Sequence, residues 1–531
     1  MGLPGSGKTT VGEALARRLG WPLVDTDRMV SRTYGEPVPR QLDRLGESGF
    51  RRREQKAVAR AAALRQVVVA TGGGALAAPA NRKRLHQAGP WVWLAVDPAT
   101  AARRLAGQEE RPLLRGDPVR ALATLLAARV GFYGESDLVL DTAAADVAAV
   151  AEQISQWLGN REDGEPPPPP SELGVAAGAA RYPVRVVWGG LEQIATHLAP
   201  VVADRRVVVI STPLVAELAA ARLAQQLVRA GWTAPLVSVP EGELAKRATV
   251  LESTCRTLAR IGVDRDTTVV AVGGGALTDL AGFVAATYMR GVPWVACPTT
   301  LIGQVDAAIG GKVAVDLPEG KNLMGAFYHP RLVLADPALL LHLPPAAYRQ
   351  GLGEVVKTGV LAGGELWELL VGHTAALRAR RPDVLARAVF LTAATKAHLV
   401  AADPDDRGAR QVLNLGHTLG HALEAWGGYS RWNHGDAVSV GLTWACRIAA
   451  NRGWLGDADL RAITDLQAAL GLRTGASRVE PADLVPYLAT DKKARAGRWR
   501  FLLPRAIGQV VPADDVDAEE VALAVKGPTR R

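Results

Sequence analysis

The chain has 531 residues, 48% of them hydrophobic, which is enough for roughly two to four domains with separate cores. Its formal net charge of +9 favours anionic partners. No basic stripe or recognition module indicates nucleic acid, and small anionic substrates explain the charge as well. We see no apolar run long enough to span a bilayer, no signal peptide before the glycine-rich start, and three cysteines without disulfide spacing. These observations argue against a membrane or disulfide-stabilised protein and predict a cytoplasmic one.

The chain opens on the pattern Gly-x-x-x-x-Gly-Lys-Thr, which runs from Gly2 to Thr9. In such a loop the backbone amides and the N-terminus of the next helix cradle phosphates, while the lysine reaches the terminal phosphates and the hydroxyl binds magnesium. A helix predicted from Thr10 to Leu19 makes a chance match less plausible. The predicted nucleotide-binding residues are Gly5, Gly7, Lys8, Thr9 and Thr10.

Short apolar strands alternate with helices in this first part of the chain. Pro22 to Asp25 predicts a strand, and a second carboxylate follows at Asp27. Two carboxylates at a strand end suit a magnesium contact and a substrate hydroxyl, although a helix cap is the alternative. Residues 67–70 and 91–96 predict further strands, so we expect a parallel α/β sheet with helices on both faces.

Taken together, these segments resemble shikimate kinase over residues 2 to about 159. The resemblance implies that Asp25 lies near the magnesium, that Asp27 orients or deprotonates the attacking hydroxyl, and that Arg111 is the lid arginine over the phosphates. The residues that it places around shikimate are Asp27, Arg51, Gly73 and Arg129. A gluconate-type kinase and a non-catalytic nucleotide-binding module remain alternatives.

One feature departs from this family. Its members have an apolar strand before the P-loop, whereas Gly2 is already the first glycine of the motif here. Such a strand lies mid-sheet, with hydrogen-bonded neighbours on both sides. We therefore expect two unpaired strand edges and a trench in the core of residues 1–160, with weak or no ATP binding. We also expect that translation begins upstream. About ten upstream-encoded residues, if they are apolar and β-branched, should restore the unit, since about five or six residues make a typical strand.

A proline-rich segment separates two units. Residues 166–170 are consecutive prolines, and small residues continue to Ala180. This composition predicts a stiff, solvated linker over residues 161–181. A spacer between two enzymes is a more economical interpretation than a site for a proline-binding partner.

The second unit combines strands with polar residues among glycines. Residues 206–211 and 267–272 predict strands, and the second runs into Gly273, Gly274 and Gly275. Glycines between a strand and a helix let a pyrophosphate approach backbone amides. Further polar positions follow in close order, more densely than turn formation requires. We expect a Rossmann-like α/β NAD-binding domain over residues 182–343.

Helical periodicity replaces the strands after about Pro344, and we expect an all-helical metal- and substrate-binding domain over residues 344–531. If its central segment is helical, His417 and His421 lie on one face. Such a pair can share a metal, or one imidazole can bind metal while the other moves protons. His434 can fold back to the same site across a glycine turn, and Glu354 offers a further ligand. Two surface histidines on a helix are the alternative.

Lysine is rare in this chain, and its positions are therefore informative. Of the 62 Lys and Arg residues only 11 are lysines, which leaves 51 arginines. A compact ammonium differs from a guanidinium in geometry and hydration, so these sites need lysine itself. The seven lysines between residues 182 and 508 are Lys246, Lys312, Lys321, Lys357, Lys396, Lys492 and Lys493.

The second unit resembles 3-dehydroquinate synthase from about Tyr182 to Gly508, because several separate motifs recur in the family's order. The resemblance assigns Glu354, His417 and His434 to a metal, His421 to proton transfer, and catalytic roles to Lys312 and Lys357. It assigns to NAD the residues Glu243, Lys246, Gly274, Gly275, Asp279, Thr299 and Thr300. It assigns to substrate Asp306, Lys312, Lys321, Asn322, Lys357, Lys396, Arg410, Asn414 and one of Lys492 or Lys493. Arg290 resembles the arginine that this family reaches across a dimer interface, so we expect a homodimer through the synthase unit. Thr278 and Asp436 are mild departures from the family pattern.

The resemblances imply a bifunctional enzyme of aromatic amino acid synthesis. The synthase unit would use NAD+ and Zn2+ or Co2+ to convert 3-deoxy-arabino-heptulosonate 7-phosphate to 3-dehydroquinate and phosphate. The kinase unit would use ATP and Mg2+ to phosphorylate shikimate. For the synthase unit, a related sugar-phosphate cyclase or a metal polyol dehydrogenase that releases NADH remains an alternative.

Overall fold

The computed structural model describes residues 1–106, 117–133, 135–143, 146–158, 168, 170–489 and 498–527. Two α/β parts and one mostly helical part follow one another along the chain. Their order agrees with the predicted fold class, a P-loop unit followed by an NAD-binding α/β domain and a mostly helical domain.

The first part is a P-loop unit with short parallel strands. Its helices are α1 (Lys8–Leu19), α2 (Thr26–Tyr34), α3 (Val38–Ala62), α4 (Pro79–Ala88), α5 (Pro98–Leu105), α6 (Pro118–Tyr133) and α7 (Val147–Trp157). Its strands are β1 (Leu23–Asp25), β2 (Val68–Ala70), β3 (Val92–Ala95) and β4 (Leu138–Asp141). β1 pairs with β2 and β3 with β4, both in parallel.

A cleft separates these two strand pairs. It has a volume of about 440 Å³ and is lined by apolar side chains of α1, β2 and β3, among them Val11, Leu15 and Val68. Met1 pairs with the β3 edge of this cleft: its ammonium donates to the Val92 carbonyl at 2.8 Å, and its carbonyl accepts from Leu94 N at 2.9 Å. Among the described residues, a cleft thus lies between β2 and β3, where the preceding strand was expected, and its effect on ATP binding stays a prediction.

The second part is a seven-stranded sheet with helices on both faces. Its strands are β5 (Ser171–Ala177), β6 (Ala180–Val186), β7 (Val207–Ser211), β8 (Leu236–Ser238), β9 (Thr268–Gly273), β10 (Trp294–Pro298) and β13 (Leu332–Ala335), with a separate hairpin of β11 (Lys312–Leu317) and β12 (Gly320–Phe327). Its helices are α8 (Ile194–Leu198), α9 (Pro213–Val215), α10 (Ala221–Arg229), α11 (Ala248–Arg260) and α12 (Gly275–Thr287). The sheet order is β5-β6-β13-β10-β9-β7-β8, parallel except for β5 against β6. β5 lies within the segment expected to be a linker, so the sheet begins earlier than predicted.

The third part is mostly helical. Its helices are α13 (Pro345–Ala362), α14 (Gly364–Gly372), α15 (Thr374–Ala379), α16 (Pro382–Ala402), α17 (His417–Trp426), α18 (His434–Asn451), α19 (Asp457–Ala469), α20 (Pro481–Ala489) and α21 (Ala518–Lys526). The prediction that it is all-helical was wrong at one place, the antiparallel hairpin of β14 (Trp499–Ala506) and β15 (Gln509–Val516). Trp499, Phe501 and Leu503 are buried at alternate positions, which is the spacing of a strand that packs one face on a core.

One helix corrects the expectation about apolar runs. By length and composition α16 is apolar enough to cross a membrane, but 56% of its most apolar 18-residue window is buried inside the protein. Leu385 and Val389 pack in the core of the helical part, and Ala393 packs against the NAD-binding sheet. α16 is therefore a core helix and does not indicate a membrane protein.

Candidate active sites

A carboxylate and two imidazoles converge where α13, α17 and α18 meet. Glu354 Oε1 lies 3.0 Å from His434 Nε2 and 3.5 Å from His417 Nε2, and the Glu354 side chain is only 1% exposed. One ligand atom from each of the three residues lies within 4.8 Å of the others. Two imidazoles and one carboxylate with an open position are the donor set of a catalytic zinc site.

Glycines make this convergence possible, because they let the three helices approach at backbone distance. A Cβ on Gly353 would lie 2.5 Å from the Gly435 carbonyl oxygen, and a Cβ on Gly441 would lie 2.0 Å from the Gly416 carbonyl oxygen. These contacts seat the first turn of α18 against α13 and hold α17 against α18. Any side chain at Gly353 or Gly441 would push the histidines away from Glu354.

The protonation states of the three residues also suit a cation. Burial lowers the pKa of His417 to about 3, so its imidazole is neutral and available as a ligand. Burial lowers the pKa of His434 too, but its hydrogen bonds to Glu354 and Glu424 outweigh burial and raise it to about 10. A metal ion on Glu354 would displace that proton and take its place between the same groups. The residues therefore fit a divalent metal.

Lys357 and His421 complete the immediate surroundings. Lys357 Nζ lies 2.7 Å from Glu354 Oε2 and donates to the Leu413 carbonyl at 2.8 Å, with 2% of its side chain exposed. The His421 ring lies 5.2 Å from the His417 ring and 6.0 Å from the His434 ring. Burial lowers the pKa of His421, so it is a neutral imidazole that can accept a proton beside the metal position.

Glu424 belongs to this site although the sequence analysis assigned it no role. Its Oε2 lies 3.3 Å from Nδ1 of His434, on the side of the ring that faces away from Glu354. Such an outer carboxylate fixes the orientation of a ligating imidazole. The signal was present in the sequence, because Glu424 follows His421 by three residues and therefore shares its helix face.

We expect Lys357→Arg to lower synthase turnover by about tenfold or more, because a planar guanidinium cannot replace a buried ammonium beside Glu354. Steady-state kinetics with the metal content measured in parallel would show this loss. Lys526→Arg, at an exposed position of α21, is the matched control and should leave kcat/KM unchanged. Equal kinetics for the two variants would contradict the need for lysine at 357.

The glycine-rich turn between β9 and α12 packs against the end of β10 and, through Gly275, against Ala307. Gly273 pairs with Pro298 across β9 and β10, and Thr299 N donates to the Gly273 carbonyl at 2.9 Å. A Cβ on Gly274 would lie 3.1 Å from Thr300 Cγ2, so the turn passes close to the end of β10. Both predicted threonines therefore adjoin the predicted pyrophosphate turn.

Charged residues pair with one another after this turn, between α12, the segment before α11 and the β11–β12 hairpin. Lys246 Nζ lies 2.7 Å from Asp279 Oδ2 and also donates to the Asn322 side chain, and Lys321 lies 2.8 Å from Glu243. Burial raises the pKa of Asp279 to about 6, against the opposing charge of Lys246. The structure thus brings together predicted NAD residues and predicted substrate residues from the β11–β12 hairpin.

A second group of substrate residues connects this turn with the metal ligands. Lys396 donates to the Asp306 carbonyl oxygen at 2.6 Å and pairs with its carboxylate. The charges of Lys357 and Glu354 act on Asp306, so the two centres share one electrostatic environment. α13 itself packs on the end of β10, since a Cβ on Gly351 would lie 2.4 Å from Leu301 Cβ.

The remaining predicted substrate residues are less closely grouped. Lys312 pairs with Asp406 and is half-exposed, whereas Arg410 is buried and donates to the carbonyls of Gly310 and Pro404. Asn414 is exposed. Exposed Arg290 has a positive φ of 66°, and its role at a dimer interface stays a prediction. Lys492, Lys493 and Arg111 lie outside the described residues.

The P-loop of the first unit has the expected local form. Gly5 and Gly7 adopt positive φ values of 81° and 84°, and α1 begins directly afterwards at Lys8. Thr9 Oγ1 donates to Asp25 Oδ2 at 2.9 Å, so the predicted magnesium pair is in direct contact. Asp25 also accepts from Asp27 N at 3.0 Å, which makes it the N-cap of α2. The magnesium and helix-cap interpretations therefore hold together geometrically.

The predicted shikimate residues surround the glycines after β2. A Cβ on Gly72 would lie 2.4 Å from Asp27 Oδ1, and one on Gly73 would lie 3.2 Å from Arg129 Nη1. A Cβ on Gly74 would lie 2.1 Å from Arg51 Nη2, so the glycines allow these side chains to approach the loop backbone.

Glu54 is a member of this pocket that the sequence analysis missed. It is 1% exposed, and its Oε2 accepts a hydrogen bond from Arg51 Nη1 at 2.7 Å. Burial raises the pKa of Glu54 to about 7, against the opposing charge of Arg51. Its spacing of three residues from Arg51, which places the two side chains on one face of α3, was the available signal.

Comparisons with known proteins agree with this division. The family model for shikimate kinase matches residues 4–159. The models for the N-terminal and C-terminal parts of 3-dehydroquinate synthase match residues 236–350 and 351–494. The 3-dehydroquinate synthase of Pelobacter propionicus is 42% identical over 341 residues, which are 64% of this chain and 95% of that protein. The Halorhodospira halophila enzyme of the same name is 42% identical over 339 residues, 64% of this chain and 94% of that protein.

Solved structures show the same architecture. A 2-epi-5-epi-valiolone synthase from Streptomyces hygroscopicus subsp. jinggangensis 5008, with NAD+ and Zn2+ bound, is 30% identical with a TM-score of 0.61. The match covers 66% of this chain and 97% of that one. A 2-deoxy-scyllo-inosose synthase, complexed with carbaglucose-6-phosphate, NAD+ and Co2+, is 22% identical with a TM-score of 0.62 and shares the fold. That match covers 67% of this chain and 100% of the other.

The fold, the two sites and the matches define a fusion of a P-loop phosphotransferase with a lyase. The chain belongs to the 3-dehydroquinate synthase family and carries a shikimate kinase domain ahead of the synthase domains.

Proposed function

We propose that the synthase unit converts 3-deoxy-arabino-heptulosonate 7-phosphate into 3-dehydroquinate and phosphate, with bound NAD+ and Zn2+ or Co2+. The observation that carries this proposal is the convergence of Glu354, His417 and His434 where α13, α17 and α18 meet. Buried Lys357 and Lys396 at the same place suit a substrate with both a carboxylate and a phosphate. The proposal draws further support from relatives of that name at 42% identity.

The metal would polarise a ring hydroxyl while NAD+ accepts a hydride and later returns it. Glu354, His417 and His434 would hold the metal, and Glu424 would keep the His434 ring in its binding orientation. His421 would accept the proton of the oxidised hydroxyl. The reversible hydride transfer that bound NAD+ would supply is the chemistry that elimination of phosphate and closure of the carbocycle would need, and Lys357 and Lys396 would hold the substrate in place for it.

The lysines of the site would bind and orient the substrate. Lys357 is held between Glu354 and the Leu413 carbonyl, where its ammonium stays beside the metal position. Lys396 is held by Asp306 close to the glycine turn. Both ammonium groups are almost excluded from water, which strengthens their attraction for an anionic substrate.

We propose for the kinase unit the transfer of the terminal phosphate of Mg·ATP to shikimate. Lys8 and Thr9 at the start of α1 would contact the nucleotide and its magnesium, with Asp25 beside the metal. Asp27 would orient or deprotonate the shikimate hydroxyl, and Arg51 and Arg129 would pair with its carboxylate. The two reactions are not consecutive, so direct transfer of one product to the other site is not expected.

The rival functions are separated by one pair of assays on the purified chain. With 3-deoxy-arabino-heptulosonate 7-phosphate, NAD+ and Zn2+, we expect inorganic phosphate to appear together with 3-dehydroquinate. A cyclase for another sugar phosphate would leave this substrate unchanged, and a polyol dehydrogenase would accumulate NADH. With Mg·ATP, we expect phosphorylation of shikimate and none of gluconate, at a rate limited by the weak ATP binding that the cleft between β2 and β3 leads us to expect. A non-catalytic module would phosphorylate neither.

We also propose a cytoplasmic homodimer that acts on small anionic substrates and binds neither nucleic acid nor membranes. The net charge of +9 and the buried lysines of the synthase site support anionic substrates. Sedimentation of the purified chain would test the dimer.

A further inference from the structure

The kinase unit rests on the segment that follows β7 of the synthase unit. This docking segment comprises residues 212–220 and includes α9 and one turn of π-helix, Ala216–Ala220. Its Leu214 and Leu218 pack against the apolar cluster of the kinase unit that contains Val24 and Met29. A solvated linker predicts two units that do not pack against each other, whereas these two units share an apolar contact.

A buried carboxylate stands at the centre of this contact. Glu217 of the docking segment has 4% of its side chain exposed, and its Oε1 lies 2.7 Å from Nη1 of Arg32 on α2. Burial raises the pKa of Glu217 to about 7, opposed by the charges of Arg32 and Arg28 and reinforced by that of Asp25. Glu217 thus lies within electrostatic range of the carboxylate at the predicted magnesium position.

Glu217 pairs with α2, the helix that carries Asp27. Asp27 is the residue proposed to contact the reacting hydroxyl of shikimate. α2 is nine residues long, begins next to its N-cap Asp25, and has Asp27 in its first turn. Met29 and Val30 bury one side of α2 in the kinase core, and Arg32 anchors its last turn to the synthase unit. Arg32 is five residues after Asp27 on this helix, under one and a half turns away, so a shift of the last turn is transmitted over a short distance to Asp27.

We propose that Glu217, a residue of the synthase unit, is a positioning residue of the kinase site, which it orders through Arg32 on α2. This proposal rests on the kinase function proposed above. The docking segment therefore helps to hold α2 at the shikimate pocket, and the fusion of the two units supports the activity of the kinase unit.

The same interface offers a matched control. Arg60, in the last turn of α3, pairs with Glu241 of the synthase unit, and the Nη1–Oε2 distance is again 2.7 Å. The other oxygen of Glu241 accepts from Leu214 N at 3.1 Å. Arg60→Gln breaks an ion pair of equal length between the same two units. It lies on α3, which carries Arg51 and Glu54, but in the last turn of that 25-residue helix and not on the helix of Asp27.

The test compares three variants of the full chain, Glu217→Gln, Arg32→Gln and Arg60→Gln, in shikimate phosphorylation. We expect the first two to lower kcat/KM for shikimate by about tenfold, with the KM for ATP unchanged, as for loss of an outer positioning contact. The Glu217→Gln/Arg32→Gln double variant should be no worse than either single one, because both remove the same interaction. Glu217→Asp, which keeps the charge, should recover part of the activity. Arg60→Gln should remain within about twofold of the unsubstituted chain.

Three results would overturn the proposal: equal losses in Glu217→Gln and Arg60→Gln, additive losses in the double variant, or a parallel rise in the KM for ATP. Absence of shikimate phosphorylation by the unsubstituted chain would contradict the proposed kinase function instead. In that case amide hydrogen exchange over residues 26–34 decides the positioning claim. Exchange should be faster in Glu217→Gln than in Arg60→Gln, and equal exchange would overturn it.

Discussion

His417→Ala is expected to abolish 3-dehydroquinate formation and to remove bound zinc, while any shikimate phosphorylation that the unsubstituted chain shows is left intact. The substitution removes one of three ligands whose atoms lie within 4.8 Å of each other, so zinc affinity should fall by orders of magnitude. It also leaves Glu354 as a buried carboxylate with one fewer partner. Elemental analysis of the purified variant and parallel assays of both activities would measure these effects.

His398→Ala is the control for this experiment, because His398 lies exposed on α16 away from the proposed ligands. It should keep the full zinc content and both activities. Full zinc occupancy in His417→Ala would contradict the ligand assignment. Loss of kinase activity in that variant would show that the two units do not fold independently of the metal centre.

A strand supplied in front of Met1 is expected to stabilise the kinase unit strongly. The cleft of about 440 Å³ between β2 and β3 has apolar walls and unpaired strand edges among the described residues. Burial lowers the pKa of the Met1 ammonium to about 5, and a preceding residue would replace this ammonium by an amide that donates to Val92 in the same way. Fusion of about six apolar, β-branched residues should fill the cleft and pair with both edges.

The free energy gained by filling the cleft and pairing its edges must exceed the conformational entropy lost when the added residues become ordered. A net stabilisation of about 2 kcal/mol would raise the unfolding midpoint of a domain of this size by roughly 4–8 °C. Calorimetry would measure this shift, and ATP binding should tighten with it, because the P-loop hangs from the end of the added strand. A glycine–serine extension of equal length is the control. Equal midpoints for the two fusions would mean that the cleft does not accept a strand.

Local motifs and sheet topology were the parts of the structure that the sequence predicted well. The P-loop, the strands that end at Asp25 and Gly273, and the helices that follow them depend on residues adjacent in the chain. The carboxyl ends of parallel strands lie at one edge, so residues after β9 and β10 meet without further information. The spacing of His417 and His421 and the turn before His434 were local signals, whereas Glu354 lies 63 residues before His417 and no local pattern connects them, so the ligand set was completed by family resemblance.

The residues that were missed share a physical reason. Glu54 and Glu424 matter because of what they face across a helix packing surface, and their facing partners depend on the fold rather than on spacing alone. The approach of Gly353 to Gly435 is likewise invisible before the helices are packed. The β14–β15 hairpin was missed because the surrounding helical periodicity outweighed three alternating apolar residues.

The contact between the two units could not be predicted either. Proline-rich composition predicts a spacer, and it carries no information about surfaces on either side. The ion pair between Arg32 and Glu217 joins residues far apart in the sequence. In the sequence, each of them looks like an ordinary charged residue on the surface of a helix. Only the burial of Glu217 in the assembled structure distinguishes it from other charged positions.

The most direct test of the synthase proposal is the number of phosphate ions released per NAD+. The full chain, loaded with one equivalent of NAD+ and with zinc, would be mixed with excess 3-deoxy-arabino-heptulosonate 7-phosphate, and phosphate and NADH absorbance would be followed together. Because the hydride returns to the substrate, many equivalents of phosphate should be released with no net NADH. NADH formation that reaches one equivalent and then stops, without continued phosphate release, would contradict the account.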